Sequence, residues 1–212
     1  MYVSRFTFNM FGVNTYILWD SESKEAIIID PGMIQETEQK EIDNFLRDNS
    51  LKLTHLINTH MHIDHAFGVS YITEKYGLPL EANDNDQFLA ERIQQQAQMF
   101  GLPLTVSDLQ IEKNLTDNQV VKIGEEELIV INVPGHSPGG IAIYAPQSSF
   151  LISGDSLFQK SIGRTDLPGG NYEQLINSIV NKLLELPDDT VVYPGHGPET
   201  TIGSEKKYNP YI

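Results

Sequence analysis

The heptapeptide Thr59-His60-Met61-His62-Ile63-Asp64-His65 is the most informative stretch of the chain, because it contains three imidazoles and one carboxylate within six consecutive positions. Imidazole and carboxylate are the usual nitrogen and oxygen ligands of divalent metals such as zinc. The preceding Leu53–Asn58 alternates and is predicted to be a strand, whereas Gly68–Tyr76 is predicted to be a helix that ends at Gly77. The cluster is therefore predicted to lie on a strand-to-helix turn.

The spacing within the heptapeptide indicates two neighbouring metal ions rather than one. His60 and His62 are two residues apart, so their side chains point the same way in extended backbone. Asp64 and His65 fall where the chain turns and can point elsewhere. A polar loop that matches the pattern by chance is the alternative, since short motifs do give false positives.

The composition is that of an acidic α/β protein. With 212 residues, of which 40% are hydrophobic, the chain can bury a substantial core, and we expect a single domain over residues 1–212. The formal net charge of -15 disfavours nucleic acid as a partner, because phosphates would be repelled. No apolar run reaches the length of a membrane span, and Met1–Asp20 lacks the pattern of a signal peptide. We therefore expect a cytoplasmic protein whose partner is a small molecule. Because the chain has no cysteine, it can form neither disulfides nor thiolate-metal bonds.

Apolar patterns divide the chain into two halves, each with strands followed by helix. The main helices are predicted at 35–49, 84–100 and 171–186, the last with a cap at Asn171. Residues 101–119 are the predicted connection between the halves. Strands are predicted within 1–20 and at 26–30, 80–82, 120–123, 128–133, 141–144, 150–153 and 190–193. Two sheets packed face to face, with helices outside, would give a four-layer αββα sandwich.

Three further candidate ligands lie at predicted strand ends in the second half. His136 follows Val133-Pro134-Gly135, Asp155 follows Ser153-Gly154, and His196 follows Tyr193-Pro194-Gly195. Each candidate has a neighbouring glycine, which lets the backbone approach closely. A single histidine after a strand is more often a hydrogen-bonded turn residue, but together with the heptapeptide the three residues complete a ligand set.

This set of residues resembles the metallo-β-lactamase superfamily over nearly the whole chain. The resemblance rests on the heptapeptide with His136, Asp155 and His196, and it is supported by the segments 30–32, 134–139, 154–158, 163–170 and 194–200. The sequence looks most like short, single-domain relatives of glyoxalase II (hydroxyacylglutathione hydrolase). Full-length glyoxalase II has a further helical domain that helps to bind glutathione. Because the chain ends at Ile212, the resemblance does not imply specificity for glutathione.

The resemblance implies two divalent metal ions, with zinc expected first and iron or manganese as alternatives. The implied ligands are His60, His62 and His136 for the first ion, Asp64, His65 and His196 for the second, and Asp155 as the bridge. It further implies hydrolysis of a small acyl thioester by a hydroxide shared between the metals, with Asp64 orienting the hydroxide and accepting its proton. A thiolate leaves without a proton donor, which favours thioesters over amides or lactams because no candidate acid is visible.

Three residues outside the ligand set have alternative roles. Arg164, just past Asp155, could bind a substrate carboxylate or form a surface ion pair. Asp30 could accept a hydrogen bond from a ligand imidazole or from the amides of the turn at Pro31. His55 lies within a predicted strand, outside the ligand pattern, so we expect a core or supporting histidine.

Two other functions are compatible with the same residues. Persulfide dioxygenases resemble this family and use a single iron held by two histidines and one aspartate, for which His60, His136 and Asp155 are the candidates. A non-catalytic metal-binding module is the other alternative. The presence of all seven dinuclear ligands favours the hydrolase over both.

Overall fold

The computed structural model describes every residue from Met1 to Ile212, and the chain divides into two compact units. The N-terminal unit comprises Met1–Asn114 and the C-terminal unit comprises Leu115–Ile212. Each unit contains one six-stranded sheet and its helices, which confirms the predicted division into two α/β halves. No helix has the length and apolar composition that a membrane crossing requires.

The sheet of the N-terminal unit has the strand order β1-β2-β3-β4-β5-β6. Its strands are β1 Tyr2–Phe8, β2 Val13–Trp19, β3 Glu25–Ile29, β4 Lys52–Ile57, β5 Leu80–Ala82 and β6 Lys113–Asn114. The first three strands are antiparallel, and the pairs from β3 to β6 are parallel. Because β3 and β4 are neighbouring parallel strands, Asp30 and the heptapeptide emerge at the same edge of the sheet.

Helices of the N-terminal unit pack on one face of this sheet through a core that includes Ile42, Leu46, Val69 and Ile72. They are α1 Glu36–Asp48, α2 Ile63–Ala66, α3 Val69–Tyr76, α4 Gln87–Ala90 and α5 Ile93–Met99. The predicted single helix over 84–100 is wrong. Residues 84–86 form a 3-10 turn, and α4 and α5 are separate helices. The Gln94 N–H donates to the Asp108 side chain, so it does not continue the helical hydrogen bonds from α4 into α5.

The sheet of the C-terminal unit has the strand order β14-β13-β10-β9-β8-β7, and a two-stranded hairpin, β11–β12, accompanies it. The strands are β7 Val120–Ile123, β8 Glu126–Asn132, β9 Ile141–Ala145, β10 Phe150–Gly154, β11 Leu157–Phe158, β12 Ser161–Ile162, β13 Val191–Pro194 and β14 Thr200–Thr201. All pairs in the six-stranded sheet are antiparallel except β10 with β13. The parallel pair places the residues that follow β10 and β13 at one edge.

Two helices complete the C-terminal unit: α6 Tyr172–Ser178 and α7 Ile202–Tyr208. Asn171 caps α6 by accepting the Gln174 N–H at 3.0 Å, as predicted. The helix continues as a π-helical segment, Ile179–Leu183, rather than as α-helix to residue 186. Tyr172, at the start of α6, and Val180, within the π-helical segment, are exposed.

Candidate metal centre

The N-terminal unit brings three histidines of the heptapeptide together, with His60 and His62 on the turn between β4 and α2 and His65 within α2. The ring centroids of His60 and His62 lie 4.8 Å apart, and those of His60 and His65 lie 4.2 Å apart. All three rings are buried. Asp64 is partly exposed, and its Oδ2 lies 3.7 Å from His65 Nε2. The turn therefore brings together the nitrogen and oxygen donors that the heptapeptide supplies.

Asp30 orients two of these imidazoles. Its Oδ2 accepts a hydrogen bond from His65 Nδ1 at 3.0 Å and one from the Thr59 hydroxyl at 2.7 Å. Because that hydroxyl proton is donated to Asp30, Thr59 Oγ1 is an acceptor for His60 Nδ1 at 3.1 Å. Both rings thus carry their proton on Nδ1, which leaves Nε2 as the basic nitrogen that a metal would use. Of the two predicted roles for Asp30, the bond to a candidate ligand imidazole is the one present.

Side chains remote in sequence fix the backbone of the turn. Gln96 of α5 accepts the Ile63 N–H at 3.0 Å and donates to the Met61 carbonyl at 3.0 Å. Asp86 accepts the Met61 N–H at 3.1 Å. Neither Gln96 nor Asp86 was predicted to support the site. A signal for Gln96 exists, since it is a polar residue between Ile93 and Ala97 on an apolar helix face.

Two asparagines hold the other end of the turn. Asn58 Nδ2 donates to the His65 carbonyl at 2.8 Å, and Asn9 Nδ2 donates to the Asp64 carbonyl at 3.1 Å and to the Gly32 carbonyl at 2.9 Å. The Gly32 position admits no side chain, because a Cβ there would lie 2.1 Å from Val13 Cγ1. The loop between β1 and β2 is thereby tied to the metal-ligand turn, a contact that nothing in the local sequence predicts.

The C-terminal unit places an aspartate between two histidines. Asp155 Oδ2 lies 3.7 Å from His136 Nε2 and 3.6 Å from His196 Nε2. These separations are too long for hydrogen bonds. They suit ligands of common metal ions, since two donors each about 2.0–2.2 Å from one ion lie roughly 3–4 Å apart. His136 follows β8, Asp155 follows β10 and His196 follows β13, as the sequence predicted.

His136 is oriented by a backbone carbonyl. Its Nδ1 lies 2.7 Å from the Arg164 carbonyl oxygen, and because a carbonyl can only accept, Nδ1 is the donor. The chain passes so close here that a Cβ on Gly163 would lie 1.8 Å from the Asp155 carbonyl oxygen and 3.2 Å from His136 Nδ1. Gly163 is therefore required by the close approach of two backbone segments.

The Arg164 side chain forms an exposed ion pair. Its Nε and Nη2 each donate to Asp166 at 2.7 Å, in a bidentate arrangement. The guanidinium lowers the pKa of the Asp166 carboxyl to about 2, and the carboxylate raises the pKa of Arg164. The surface ion pair predicted as one alternative is thus present.

His55 is a supporting residue of the sheet. Its Nδ1 lies 2.8 Å from Glu81 Oε1, and the same oxygen accepts a hydrogen bond from Lys113 at 3.2 Å. Glu81 is buried and lies on β5 beside β4. His55 and Lys113 therefore both contact a buried carboxylate within the sheet.

The chemistry of the candidate donors fits a divalent metal. Histidine and aspartate side chains in both units are candidates to hold one: His60, His62, Asp64, His65, His136, Asp155 and His196. Three of the imidazoles have an Nδ1 hydrogen-bond partner that fixes the tautomer, the arrangement typical of metal-binding histidines. With only nitrogen and oxygen donors, the set is suited to zinc, iron or manganese.

Comparison with known proteins identifies relatives along nearly the whole chain. Residues 9–196 match the sequence profile of the metallo-beta-lactamase superfamily. Hydroxyacylglutathione hydrolase GloC of Haemophilus influenzae is 38% identical over 95% of this chain and 93% of its own length. The B3 metallo-β-lactamase BLEG-1 is similar in structure, with a TM-score of 0.89 and 33% identity over 99% of each chain. TTHA1623, solved in a di-iron-bound form, has a TM-score of 0.87 and 33% identity over 99% of this chain and 100% of its own.

These similarities confirm the predicted fold and the predicted resemblance. The metallo-β-lactamase fold, a four-layer αββα sandwich, is that of the structural relatives. The likeness to hydroxyacylglutathione hydrolase covers both units. From the family match and these likenesses together, the chain belongs to the metallo-β-lactamase superfamily of metallo-hydrolases.

Proposed function

We propose that this protein is a thioester hydrolase of the glyoxalase II type, which acts on a small acyl thioester. The observation that carries the proposal is the 38% identity to a hydroxyacylglutathione hydrolase over 95% of the chain. The two units are proposed to form one catalytic domain. The cytoplasm is the proposed compartment, and neither nucleic acid nor a membrane is a proposed partner.

The seven candidate donors would hold two divalent metal ions. In this proposal His60, His62 and His136 hold the first, Asp64, His65 and His196 hold the second, and Asp155 bridges them. Support comes from the Nδ1 partners of His60, His65 and His136, each of which leaves Nε2 as the donor atom. Zinc is the proposed metal.

Divalent ions bound by these residues would supply Lewis acidity, which makes a water nucleophilic near neutral pH and polarises a carbonyl group. Asp64 is the proposed catalytic residue of the chain, because its partly exposed carboxylate can orient a water and accept its proton at Oδ2. Asp30 keeps the proton of His65 on Nδ1 while the Asp64 carboxylate lies beside Nε2.

The leaving group decides between thioester and amide substrates. A thiol has a pKa of about 8.5, so a thiolate can depart without protonation. An amide or lactam nitrogen needs a proton, and the ligand residues offer no additional acid. Arg164 is the proposed contact for a carboxylate of the substrate, for which its guanidinium would have to exchange Asp166 for the ligand.

Hydrolysis of S-lactoylglutathione by the zinc-loaded protein under air, followed through the loss of thioester absorbance, tests the proposal. We expect turnover that a chelator abolishes and that zinc restores. The Asp155→Ala variant should lose both metal and activity. Asp188→Ala is the matched control, because it removes an exposed carboxylate of the same unit that bonds Lys206 and is not a candidate ligand.

Other substrates distinguish the remaining possibilities. Turnover of a different acyl thioester alone would keep the thioesterase and exclude the lactoylglutathione specificity. Opening of a β-lactam without thioesterase activity would contradict the proposal. The protein would then be a β-lactamase, the activity named for BLEG-1.

A mononuclear iron persulfide dioxygenase is the second candidate. TTHA1623, which is 33% identical to this chain, supports iron as a possible metal, although its di-iron-bound form does not support a single ion. Oxygen consumption with a persulfide by the iron-loaded protein, without thioester hydrolysis in any metal form, would select it. Failure of every substrate with the fully metal-loaded protein would instead favour a non-catalytic metal-binding module.

A further inference from the structure

Glu205, on α7, is a buried carboxylate outside the candidate metal ligands. Its exposure is 0%, and it accepts three hydrogen bonds. Oε1 accepts from the Thr200 hydroxyl at 2.6 Å, and Oε2 accepts from the Lys160 N–H at 2.8 Å and from Asn209 Nδ2 at 2.9 Å. Burial of a carboxylate is unfavourable unless such bonds replace water, so this side chain joins three segments at one point.

One of those bonds comes directly from the β11–β12 hairpin, and a second links Glu205 to the hairpin through Asn209. The hairpin turns through Gln159 and Lys160, and Lys160 has a φ of +55°, a conformation that L residues rarely adopt. Glu205 accepts the N–H of this residue, and Asn209 donates its second amide proton to the Ser161 carbonyl at 3.0 Å. The end of α7 therefore holds the tip of the hairpin through the backbone.

The base of the same hairpin adjoins Asp155 in sequence and His136 in space. Asp155 directly precedes it, and the Gly163 N–H closes it by bonding the Ser156 carbonyl at 3.2 Å. The next residue, Arg164, supplies the carbonyl that fixes the Nδ1 proton of His136 at 2.7 Å. A displacement of the hairpin would therefore move this carbonyl away from the imidazole.

The hairpin and Thr200 also adjoin His196. The ring of Phe158, on β11, lies 6.4 Å from the His196 ring in an edge-on arrangement. Thr200 pairs with Val192 across the loop that carries His196. Glu205 thus contacts the hairpin through Lys160 and the strand that follows the His196 loop through Thr200.

We propose that Glu205 is a positioning residue for His136, Asp155 and His196, acting through the hairpin and through Thr200. Its hydrogen bonds hold the Arg164 carbonyl where it selects the Nδ1-protonated tautomer of His136 and so leaves Nε2 to a metal. This inference rests on the proposed metal centre and not on the proposed thioester reaction.

A purely structural role, in which Glu205 only attaches α7, makes a different prediction. The helix has other attachments: Thr201 caps it by accepting the Ser204 N–H at 3.2 Å, and Lys206 bonds Asp188 at 2.6 Å. Thr201→Ala weakens the same helix without removing a bond to the hairpin. It is therefore the matched control for loss of stability.

The experiment compares zinc dissociation constants, by competition with a chelator, and the imidazole nitrogen NMR signals of His136 in the metal-free protein. Glu205→Asp, one methylene shorter, should lose the reach to Lys160. We expect it to raise the zinc dissociation constant about tenfold and to shift His136 toward the Nε2-protonated tautomer. Glu205→Gln keeps an oxygen for Lys160, while Thr200 can turn to accept, so we expect a change below about threefold.

Thr201→Ala should lower Tm as Glu205→Asp does while leaving zinc affinity and tautomer unchanged. If Thr201→Ala and Glu205→Asp lower Tm equally and also weaken zinc binding equally, the proposal is overturned. A folded Glu205→Asp protein in which the His136 tautomer is unchanged would also overturn it. The same holds if Glu205→Gln weakens zinc binding as much as Glu205→Asp does. If Glu205→Asp does not fold, Asn209→Ala, which removes the bond to Ser161, replaces it. A wild-type protein that binds no zinc would refute the metal centre, and the tautomer of His136 would still decide the role of Glu205.

Discussion

Asp30 Oδ2 and His65 Nδ1 lie 3.0 Å apart, and both side chains are almost completely inaccessible to solvent. Asp30 directly follows β3 with a φ of +52°, a left-handed conformation that aspartate and asparagine tolerate better than most residues. The Thr15 hydroxyl fixes this conformation by donating to the Asp30 carbonyl at 2.7 Å. The position therefore combines a local backbone requirement with a carboxylate that must face the histidines.

Asp30→Asn should weaken metal binding more than it weakens the fold. Asparagine is compatible with the left-handed backbone, but it has one acceptor oxygen where the carboxylate has two. The N–H of Thr59 and the Nδ1–H of His65 then compete for that oxygen. We expect the metal dissociation constant to rise about 10- to 100-fold, measured by competition with a chelator.

Thr54→Ala is the control for that variant, because it removes a hydrogen bond to the Ala26 carbonyl between the same two strands, β3 and β4. It should lower stability by about 1 kcal/mol and leave the metal affinity unchanged. An Asp30→Asn protein with the wild-type affinity would show that Asp30 does not orient the ligands.

Gly163→Ala should disturb the C-terminal half of the metal centre through steric overlap alone. The new Cβ would lie 1.8 Å from the Asp155 carbonyl oxygen, so one of the two backbone segments must shift. We expect a loss of about 1–3 kcal/mol in the free energy of unfolding and at least a tenfold loss in metal affinity.

Gly77→Ala provides the comparison for Gly163→Ala. Gly77 has a φ of +69° and nothing within 4 Å of an added Cβ, so the change strains the backbone by about 1–2 kcal/mol without touching the ligands. If both glycine variants lose stability but neither loses metal, the approach of Gly163 to Asp155 has no influence on binding.

The sequence predicted the elements that carry the ligands because strand alternation and glycine turns are local signals. The strand at Lys52–Ile57, the helix ending at Gly77 and the strands before His136, Asp155 and His196 were confirmed. Contacts between residues distant in sequence were not predicted. Asn9 reaches the Asp64 carbonyl 55 residues away, and Lys160 reaches Glu205 45 residues away. Such pairs depend on the packed fold, and no local pattern encodes them.

Short elements were the other gap. The strands of the β11–β12 hairpin have two residues each, too few for an alternating pattern, and α7 has only seven residues. The single helix predicted over 84–100 was wrong because contacts remote in sequence, such as the bond from the Gln94 N–H to Asp108, separate α4 from α5. Within α5, the buried Gln96 bonds the backbone around Met61 and Ile63. Gln96 is polar at a buried position because it bonds the backbone next to the candidate ligands, not because the helix requires a polar residue there.

Arg164 and Asp166 allow a paired test of substrate binding. If Arg164 binds a substrate carboxylate, Asp166 competes for the same guanidinium. Arg164→Ala should then raise KM with kcat nearly unchanged, and Asp166→Asn should lower KM. Steady-state kinetics with a carboxylate-bearing thioester and with its uncharged analogue measure both effects. Unchanged KM in both variants would leave Arg164 with only its ion pair.

The cluster around Asp43 predicts a pH-dependent stability that is independent of the metal centre. Burial alone would raise the pKa of the Asp43 carboxyl, but the hydrogen bonds that it accepts from Lys75, Tyr71 and Tyr76 outweigh burial and hold that pKa below its ordinary value. A carboxyl with a lowered pKa in the folded protein stabilises it above the pKa of the unfolded chain, about 3.9. That contribution is lost as the pH falls through the lower, folded-state pKa.

Asp43→Asn should therefore lower the free energy of unfolding by roughly 1–3 kcal/mol at neutral pH, and the difference from wild type should shrink as the pH falls below about 4. Denaturant unfolding of the metal-free proteins between pH 3 and pH 7 measures this difference. Asp48→Asn is the control, since Asp48 bonds only the exposed Arg47 beside it and should give a small difference at every pH. A difference for Asp43→Asn that stays constant down to pH 3 would mean that the neutral amide loses only packing or hydrogen-bond geometry. The charge of Asp43 would then not be what Lys75 and the two tyrosines stabilise.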